Sequence, residues 1–374
     1  MRRIVVIGGG KIGAVIAQML AESGDYAVKV LDRSAEALAA ILPHPNVTTA
    51  CVDVTHDAEL DAAMSGAFAV LSAAPFHLTG RVAQSAARVG CHYLDLTEDV
   101  ATTRTVKALA QGAKTAFIPQ CGLAPGFISI AGAEIARGFE RVEELRLRVG
   151  ALPRFPSNSL GYNLTWSTEG VINEYCEPCE ALVDGELREV EPMEGLETFS
   201  LDGVTYEAFN TSGGLGSLAE VLAGKAKNLN YKSVRYPGHC ALMRTLLSDL
   251  NLRHRRDLLK DVLEGAVPGT EQDVVVFFVT ASGWRNGRLM QESYAGKVLG
   301  EHHGKGFWSA IQITTAAGIC TVLDLLAAGR LPQQGYVRQE EIALSDFLAN
   351  RFGKAYRQPG DMVADAPAPV AQVA

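Results

Sequence analysis

The chain has 374 residues, of which 48% are hydrophobic and 20% are charged, so it can bury a full core and is long enough for two or three domains. The formal net charge of −8 argues against a nucleic-acid-binding surface, because such a surface needs a basic face to neutralise phosphates. No apolar stretch approaches the length of a membrane span, and Met1 leads directly into strand-like sequence without a cleavable signal. These features predict a globular, cytoplasmic protein without nucleic-acid or membrane partners.

The cysteines indicate neither disulfides nor a metal. There are seven, an odd number scattered along the chain, which does not suit a disulfide framework. Cys176 and Cys179 have the C-x-x-C spacing of a redox pair, but no second pair completes a zinc site. Reduced thiols and no bound metal are therefore predicted.

Residues 4–32 have the order of a dinucleotide-binding βαβ unit: an apolar strand, a glycine turn, a helix, a second strand and a terminal acid. Gly8 allows the tight turn after the strand, Gly10 lets the backbone approach a pyrophosphate, and Gly13 lets the helix lie close to the sheet. The unpaired N–H groups at the start of that helix then face an anion. A nicotinamide dinucleotide is the predicted cofactor.

Asp32 ends the second strand, where a carboxylate accepts the ribose 2′-hydroxyl and repels a 2′-phosphate, so NAD is favoured over NADP. Arg33 is the competing signal, because a guanidinium can hold that phosphate. Ligands of parallel sheets bind at the carboxyl ends of the strands. The predicted cofactor contacts therefore also include Lys11, Ile12, Asp53, Ala73, Ala74 and Pro75.

Strands alternate with helices as far as residue 119, which predicts a parallel, doubly wound sheet of Rossmann type. The predicted strands cover 47–54, 67–73, 92–96 and 115–119, and the predicted helices cover 80–89 and 100–112. After residue 122 the pattern changes. Asp184-Gly185 and Asn286-Gly287 each join two extended runs, which is the strongest short-range signal of a hairpin. The predicted fold class is α/β with a second, α+β substrate domain that contains a mixed sheet, with helices near 239–250 and 256–264.

A long apolar helix is predicted over 309–328, and it returns to the dinucleotide-binding domain, which makes that domain discontinuous. The predicted boundaries are 1–122 for the dinucleotide-binding domain, 123–308 for the substrate domain and 309–356 for the returning helical segment. Residues 357–374 are rich in Ala and Pro without periodicity and are predicted to be disordered.

Two stretches after the first domain supply candidate substrate contacts. Gly122 opens a glycine-flanked loop at the domain junction, where cofactor and substrate would meet unless the loop is a plain linker. Asn163 and Trp166 lie in a polar, aromatic stretch that suits ligand binding, although Trp166 at this spacing could equally pack beneath a helix.

Two further motifs point to a carboxylate. Thr211, Ser212 and Gly213 precede a short predicted helix and are expected to form an anion nest. Arg235 is a natural bidentate partner for a carboxylate, and His239 has the pKa range of a general base. Each residue alone is more often structural, whereas together with the cofactor fold they predict a site that oxidises a carboxylated substrate.

The glycine turn is followed in order by G-L-A-P-G-F-I, N-x-x-W-S-x-x-G, N-T-S-G-G and Y-K-S-V-R-Y-P-G-H. This series resembles the saccharopine dehydrogenase-like superfamily, most closely its lysine 6-dehydrogenase branch, over most of the chain. The resemblance implies a discontinuous Rossmann domain, a substrate and dimerisation domain with a mixed sheet, and a homodimer. It also implies NAD-dependent oxidation of the ε-amine of lysine, followed by hydrolysis of the imine to the semialdehyde and ammonia.

Two positions separate the branches of this superfamily. Ala124 stands where L-glutamate-forming saccharopine dehydrogenases typically carry an acid, and His239 stands where they tend to carry an aromatic residue, so both favour lysine. Trp166-Ser167 and the long 151–162 loop are shared with the saccharopine enzymes, which keeps saccharopine oxidation as the alternative. A non-catalytic NAD-binding module is the third interpretation, although it would not need Arg235 or His239.

The chemistry that the resemblance implies assigns roles to individual residues. An ε-ammonium, with an ordinary pKa of about 10.4, must lose a proton before its carbon can lose a hydride. His239 is the predicted base, and Arg235, with residues 211–214, is predicted to hold the α-carboxylate. Glu98 or Asp99 could bind an amine, but helix capping in contact with solvent is the plainer interpretation of both.

Overall fold

The computed structural model describes residues 1–304 and 306–361. Its strands, in chain order, are β1 (Arg2–Ile7), β2 (Tyr26–Asp32), β3 (Val47–Cys51), β4 (Ala69–Ser72), β5 (His92–Asp95), β6 (Ala116–Ile118), β7 (Arg141–Pro153), β8 (Cys179–Val183), β9 (Glu186–Val190), β10 (Glu197–Leu201), β11 (Val204–Asn210), β12 (Ala226–Arg235), β13 (Asp273–Arg285), β14 (Arg288–Leu299), β15 (Glu301–His303), β16 (Gly306–Trp308) and β17 (Gly335–Tyr336). Its α-helices are α1 (Lys11–Glu22), α2 (Ala35–Ala39), α3 (Asp57–Met64), α4 (Phe76–Val89), α5 (Val100–Leu109), α6 (Phe127–Arg137), α7 (Thr168–Cys176), α8 (Leu218–Leu222), α9 (His239–Arg244), α10 (Arg256–Ala266), α11 (Ala310–Ala327) and α12 (Leu344–Ala349).

The first sheet has the order β17-β6-β5-β4-β1-β2-β3, and the pairs in its described part are parallel. β1 lies between β2 and β4, so the direction of strand succession reverses there. In such sheets the carboxyl ends of the strands at this point leave a crevice in which dinucleotides bind. The predicted doubly wound, Rossmann-type sheet is confirmed.

The second sheet is mixed, with the order β10-β11-β12-β7-β13-β14 and with β8 paired to both β12 and β9. β12 runs parallel to β7, whereas the other described pairs of this sheet are antiparallel. The predicted hairpins turn at Asp184-Gly185 and Asn286-Gly287, and all of these turn residues have positive φ. A third hairpin, β10 to β11, turns at Asp202-Gly203 with the same conformation; the sequence analysis misses it although the signal is identical.

The C-terminal part of the chain completes the first domain, as predicted. α11 begins at a capping box formed by Ser309 and Gln312 and packs on α1, while β17 extends the parallel sheet beside β6. By length and composition α11 could cross a membrane, so the expectation that no stretch approaches that length is wrong. The fold buries 78% of this helix, which therefore serves as a core helix of the first domain.

Phe127, at the start of α6, marks the place where the two domains share one core. Its ring stacks on Tyr356, with centroids 4.0 Å apart, and meets Phe277 of the second sheet edge-on at 5.1 Å. The helix that follows the last long strand of the first domain is thereby packed against the second sheet. This contact brings the carboxyl ends of β5 and β6 close to the substrate domain.

Two sequence predictions are wrong in detail. α4 begins at Phe76 rather than at residue 80, because Pro75 is its N-cap and its restricted φ suits the start of a helix. Residues 357–361 are not disordered, since the Gln358 side chain accepts a hydrogen bond from the Lys297 amide at 3.2 Å. The remainder of the predicted tail, 362–374, lies outside the described residues. The domain boundaries at 122 and 308 stay a prediction.

Candidate active site

The glycine turn after β1 has the shape that the sequence predicts. Gly8 has φ +101°, and a Cβ there would lie 2.7 Å from the carbonyl oxygen of Ala73. A Cβ on Gly13 would lie 1.9 Å from the carbonyl oxygen of Gly8. Gly10, the N-cap of α1, differs from both, because a Cβ there would meet nothing within 4 Å. The open side of this turn is the room that a dinucleotide pyrophosphate needs, so the residues present fit such a cofactor.

Asp32 is anchored beside that turn. Its Oδ2 accepts a hydrogen bond from the Gly9 amide at 2.7 Å, and its Oδ1 accepts one from the Ser34 amide at 2.7 Å. Each carboxylate oxygen keeps a lone pair for a further donor, which suits a ribose hydroxyl. Arg33 is exposed next to it, so the structure leaves the competing 2′-phosphate interpretation open.

The other predicted cofactor residues lie at the same edge of the sheet. Lys11 and Ile12 form the first turn of α1, and the Ala73 amide donates to the Ile7 carbonyl oxygen at 2.8 Å, which aligns the ends of β1 and β4. Ala74 and Pro75 lead from there into α4. Asp53, after β3, accepts two hydrogen bonds from Thr55, which lower the pKa of its carboxyl group. Contact of these residues with a cofactor stays a prediction.

Asp95 joins the ends of β5 and β6. Its carboxylate accepts hydrogen bonds from the Tyr93 hydroxyl (2.7 Å) and from the amides of Thr97 (3.0 Å) and Gln120 (2.8 Å). Burial raises the pKa of Asp95 to about 6 even though these donors oppose the shift. The loops that carry Glu98 and the domain junction are therefore tied together at one buried carboxyl group.

Gly122 acts in the structure through its backbone. Its amide donates to the Pro125 carbonyl oxygen at 3.1 Å, and its carbonyl oxygen accepts from the Phe127 amide at 3.0 Å. Gly126 has φ +132°, and a Cβ there would lie 2.1 Å from the Gly122 oxygen. The junction, which includes a cis Ala124–Pro125 bond, is thus a compact turn into α6 rather than a plain linker. A substrate contact at Gly122 stays a prediction.

Arg235, at the end of β12, is 3% exposed and lies at the centre of the polar cluster in the second domain. Its Nε donates to the Tyr175 hydroxyl at 2.8 Å and its Nη1 to the Val234 carbonyl oxygen at 2.8 Å. Its guanidinium carbon lies 5.2 Å from the centre of the Tyr162 ring. Among the residues that the structure describes, no carboxylate forms an ion pair with Arg235. A buried cation without such a partner favours an anionic ligand.

His239 is 1% exposed, and both of its ring nitrogens have protein partners. Nδ1 lies 2.9 Å from the Leu160 carbonyl oxygen, which can only accept, so Nδ1 carries the proton. Nε2, 3.1 Å from the Tyr175 hydroxyl, is then the acceptor. Burial and the charge of Arg235 lower the pKa of His239 to about 3. The general-base role stays a prediction that this geometry does not favour, because the ring is a weak base with both nitrogens occupied.

Glu98 and Glu174 form an acid pair across the domain junction. Glu98 lies in the loop between β5 and α5, and Glu174 lies on α7. A Cβ on Gly170, one turn before Glu174 on α7, would lie 3.2 Å from Oε1 of Glu98, so the two acids lie close together. A hydrogen bond between two carboxyl groups requires a proton on one of them. Burial raises the pKa of both carboxyl groups above the ordinary glutamate range, and the charge of Glu174 adds to the rise at Glu98. Asp99 differs from this pair, because it caps α5 by accepting a hydrogen bond from the Thr102 amide at 2.7 Å. This is the helix-capping role that the sequence offers as the plainer interpretation.

Trp166 closes over this pair. A Cβ on Gly170 would lie 2.3 Å from Cζ3 of Trp166 and 3.2 Å from Oε1 of Glu98, so the indole and the carboxyl group converge on the first turn of α7. Asn163 donates from Nδ2 to the Ser157 hydroxyl at 3.1 Å, while its Oδ1 has no hydrogen-bond partner among residues 1–304 and 306–361. The stretch that the sequence presents as a ligand-binding loop therefore lies beside the pair.

Residues 211–213, which the sequence predicts to form an anion nest, instead make contacts within the protein. The Thr211 hydroxyl bonds the Ser233 hydroxyl at 2.8 Å, and the Ser212 hydroxyl donates to the Pro178 carbonyl oxygen at 2.9 Å. Gly213 has φ +88°, and a Cβ there would lie 2.7 Å from the Glu98 carbonyl oxygen. Both hydroxyls are taken up by the protein, and the Ser212 amide donates to the Glu174 carbonyl oxygen at 2.9 Å instead of facing an anion. Gly213 packs directly against Glu98. Carboxylate binding by these residues stays a prediction that the geometry does not favour.

Glu174 and Tyr175, which connect the parts of this site, are not among the residues predicted from the sequence. A signal was present, because Thr168, Val171 and Tyr175 follow the spacing of one buried helix face and Glu174 lies beside it. An acid at a core-facing position of a short helix is uncommon and indicates a function.

Two protein-family profiles match the chain. The first, described as the saccharopine dehydrogenase NADP binding domain, matches residues 4–117, and the second, the saccharopine dehydrogenase C-terminal domain, matches residues 122–354. A curated relative from Pyricularia oryzae, an L-glutamate-forming, NADP(+) saccharopine dehydrogenase, is 23% identical over 283 residues. That alignment covers 72% of this chain and 62% of the relative, so the chain spans less than two thirds of it. The apo, L-glutamate-forming saccharopine dehydrogenase of Saccharomyces cerevisiae has a similar structure, with a TM-score of 0.76, 16% identity and coverage of 91% of this chain and 94% of that one.

Proposed function

Since this chain belongs to the saccharopine dehydrogenase family of oxidoreductases, we propose that it oxidises the ε-amine of L-lysine with NAD as the hydride acceptor. The products are ammonia and the ε-semialdehyde, which cyclises onto its own α-amine to piperideine-6-carboxylate. The observation that carries this proposal is the buried charge of Arg235 beside the Glu98–Glu174 pair.

The charges of the site suit lysine better than saccharopine. Arg235 provides one buried cation, and the acid pair with one shared proton provides one negative charge. Lysine offers the complement of both, since it has one carboxylate and a terminal ammonium. Saccharopine has three carboxylates and would need further cations, because a buried carboxylate without a partner is costly.

The residues of the chain divide the work between binding and orientation. Arg235 receives the α-carboxylate through its planar fork of donors. The Tyr175 hydroxyl accepts from Nε of Arg235 and donates to His239, whose other nitrogen is fixed by Leu160, so the guanidinium is held in one orientation. NAD, when bound at the glycine turn, accepts the hydride from the ε-carbon. Water then adds to the imine carbon and the C–N bond breaks, which releases ammonia.

The choice of NAD rests on Asp32. Its carboxylate, held between the amides of Gly9 and Ser34, repels a 2′-phosphate and can accept from a 2′-hydroxyl. NADP is the alternative, supported by the names of the matching profile and of the Pyricularia oryzae relative and by the exposed Arg33.

Saccharopine oxidation to glutamate is the second candidate function, supported by the relatives, which are named as L-glutamate-forming enzymes. A non-catalytic NAD-binding module is the third, and the buried polar cluster around Arg235 counts against it. We also propose, from the resemblance and the composition, that the protein acts as a cytoplasmic homodimer; its mass in sedimentation equilibrium tests the oligomeric part.

The deciding experiment measures NADH formation with lysine, saccharopine and cadaverine, and it assays ammonia and glutamate in the same reactions. We expect one ammonia for each NADH with lysine, weak turnover of cadaverine, and no glutamate. Glutamate from saccharopine, with lysine inert, would replace the proposal by the second candidate. If none of these amines reduced NAD, both the lysine and the saccharopine candidates would be rejected.

A further inference from the structure

We propose that the Glu98–Glu174 pair, rather than His239, takes the proton from the substrate ammonium. This inference rests on the proposed function insofar as the substrate is an amine. Glu98 comes from the first domain and Glu174 from the second, so the pair forms only where the two domains meet. The nicotinamide end of a dinucleotide bound to the first sheet would lie at this junction.

The packing around Glu98 leaves space for its carboxyl group. A side chain at Gly170 would come within 3.2 Å of Glu98 Oε1, and a Cβ at Gly213 would lie 2.9 Å from its Cβ. Two glycines from separate loops thus allow this acid to approach α7. Trp166, packed on Gly170, covers the same place. Glu98 stays partly exposed, which leaves a path for the proton to solvent.

Independent observations point to a ligand beside the pair. Within the described part of the chain, Oε2 of Glu174 and Oδ1 of Asn163 have no hydrogen-bond partner, although each of these side chains is more than nine-tenths buried. Tyr162 lies beside Thr165 and Trp166 and is close enough to Glu174 to feel its charge. Buried polar atoms are nearly always paired, so a cluster of unpaired ones around an acid pair marks the place of a polar ligand group.

The proton balance closes with the groups that are present. The pair starts with one proton on two carboxyl groups and takes a second from the ε-ammonium, which becomes a neutral amine. The amine loses a hydride from its carbon to NAD, and the iminium that forms reacts with water to give the aldehyde and an ammonium ion. The pair finally releases the acquired proton to solvent through Glu98. Burial raises the pKa of both carboxyl groups, and the charge of Glu174 raises that of Glu98 further, so the pair is a stronger proton acceptor than an exposed glutamate.

Other groups face the pair and take part in its titration. Arg235 opposes the rise in the pKa of Glu174, whereas Asp99 adds to the rise at Glu98. The titratable groups that sense the charge of Glu174 from neighbouring elements are Tyr162, Tyr175, Cys179 and Tyr231. The titration therefore belongs to the pair as a unit and not to either residue alone.

The test compares Glu98→Gln, Glu174→Gln and the double variant in the full-length chain. Asp99→Asn is the matched control, because this neighbouring acid caps a helix and acts on Glu98 only through its charge. In the unmodified protein kcat/KM should fall as the pH drops into the range where the pair becomes doubly protonated, above the ordinary glutamate pKa. Each single variant should lower kcat/KM roughly 10²–10⁴-fold and shift the acid limb of the pH profile to lower pH. The double variant should abolish this acid limb. Asp99→Asn should keep the limb. Unchanged limbs in the Gln variants would overturn the proposal.

A second measurement needs no substrate. Difference infrared spectra at neutral pH should show a protonated carboxyl band that disappears in Glu98→Gln and in Glu174→Gln. Because the pKa values are raised in the fold, the folded state loses stability as the pH rises through them, so both variants should melt above the unmodified protein at pH 8 and lose that advantage at pH 5. If the protonated carboxyl band is absent in the unmodified protein, the two acids do not share a proton and the proposal is overturned. If the pair titrates as expected but saccharopine proves to be the substrate, the role of the pair is supported and only the proposed substrate is refuted.

Discussion

The cofactor turn and the substrate cluster are specified in different ways. The turn is built within one βαβ unit: Asp32 accepts from the Gly9 amide, and a backbone contact leaves no room for a side chain at Gly8 or Gly13. The substrate cluster is assembled from distant segments, with Arg235 and Tyr175 separated by 60 positions. The turn is constrained by steric exclusion, whereas the cluster depends on charges that burial leaves without partners. Substitutions in the two regions should therefore fail in different ways.

The largest effect is expected at Gly13. A Cβ there would lie 1.9 Å from the Gly8 carbonyl oxygen, so Gly13→Ala should push α1 away from the sheet at a cost of roughly 3 kcal/mol or more. We expect a marked fall in the melting temperature and no NAD binding by fluorescence titration. Gly10→Ala is the matched control, since the Cβ has open space: it should fold normally and weaken only NAD binding. Equal melting temperatures for the two variants would contradict the steric account.

Arg235→Lys tests the other region. The charge is kept but the planar fork is lost, so hydrogen bonds to a carboxylate worth about 1.5–3 kcal/mol disappear and kcat/KM for lysine should fall about 10- to 150-fold. Cadaverine, which has no carboxylate, should be almost insensitive to the substitution. Arg244→Lys, at an exposed ion pair with Glu194, is the matched control and should change neither rate. An equal loss with both amines would show that Arg235 does not recognise the carboxylate.

The smallest effect is expected at Asp32. Asp32→Ala removes the charge that lies against a 2′-phosphate, and the ratio of kcat/KM with NAD to that with NADP should drop by about tenfold. Arg33→Ala is the complementary substitution: it should lower kcat/KM with NADP if the guanidinium holds the 2′-phosphate. A preference for NADP in the unmodified protein would reverse the assignment of Asp32.

The sequence predicts the fold better than the site because the signals of the fold are local. Glycine spacing, alternating strands and the two Asx-Gly turns lead to the correct sheets, and the third hairpin at Asp202-Gly203 is missed despite the same signal. The predicted start of α4 is wrong because Pro75 caps a helix that begins at Phe76, four residues before the predicted start.

The site is harder to predict because its properties arise from packing. Nothing in the residue type shows that His239 has both nitrogens occupied and a pKa of about 3, since those follow from Leu160, Tyr175 and burial. Glu98 is named in the sequence analysis only beside a capping alternative. The structure separates it from Asp99 because Glu174, from another domain, lies opposite.

The return of the chain to the first domain affects the order in which the protein is completed during synthesis. β17 covers the edge of β6, Gln339 donates to the Pro119 carbonyl oxygen at 2.8 Å, and α11 lies on α1. The ribosome delivers β1 to β6 first, yet an unpaired strand edge and an uncovered helix face remain until residues 310–339 emerge. The domain that is made first is therefore the last to close. Its exposed edge during that interval is a surface that chaperones would have to protect.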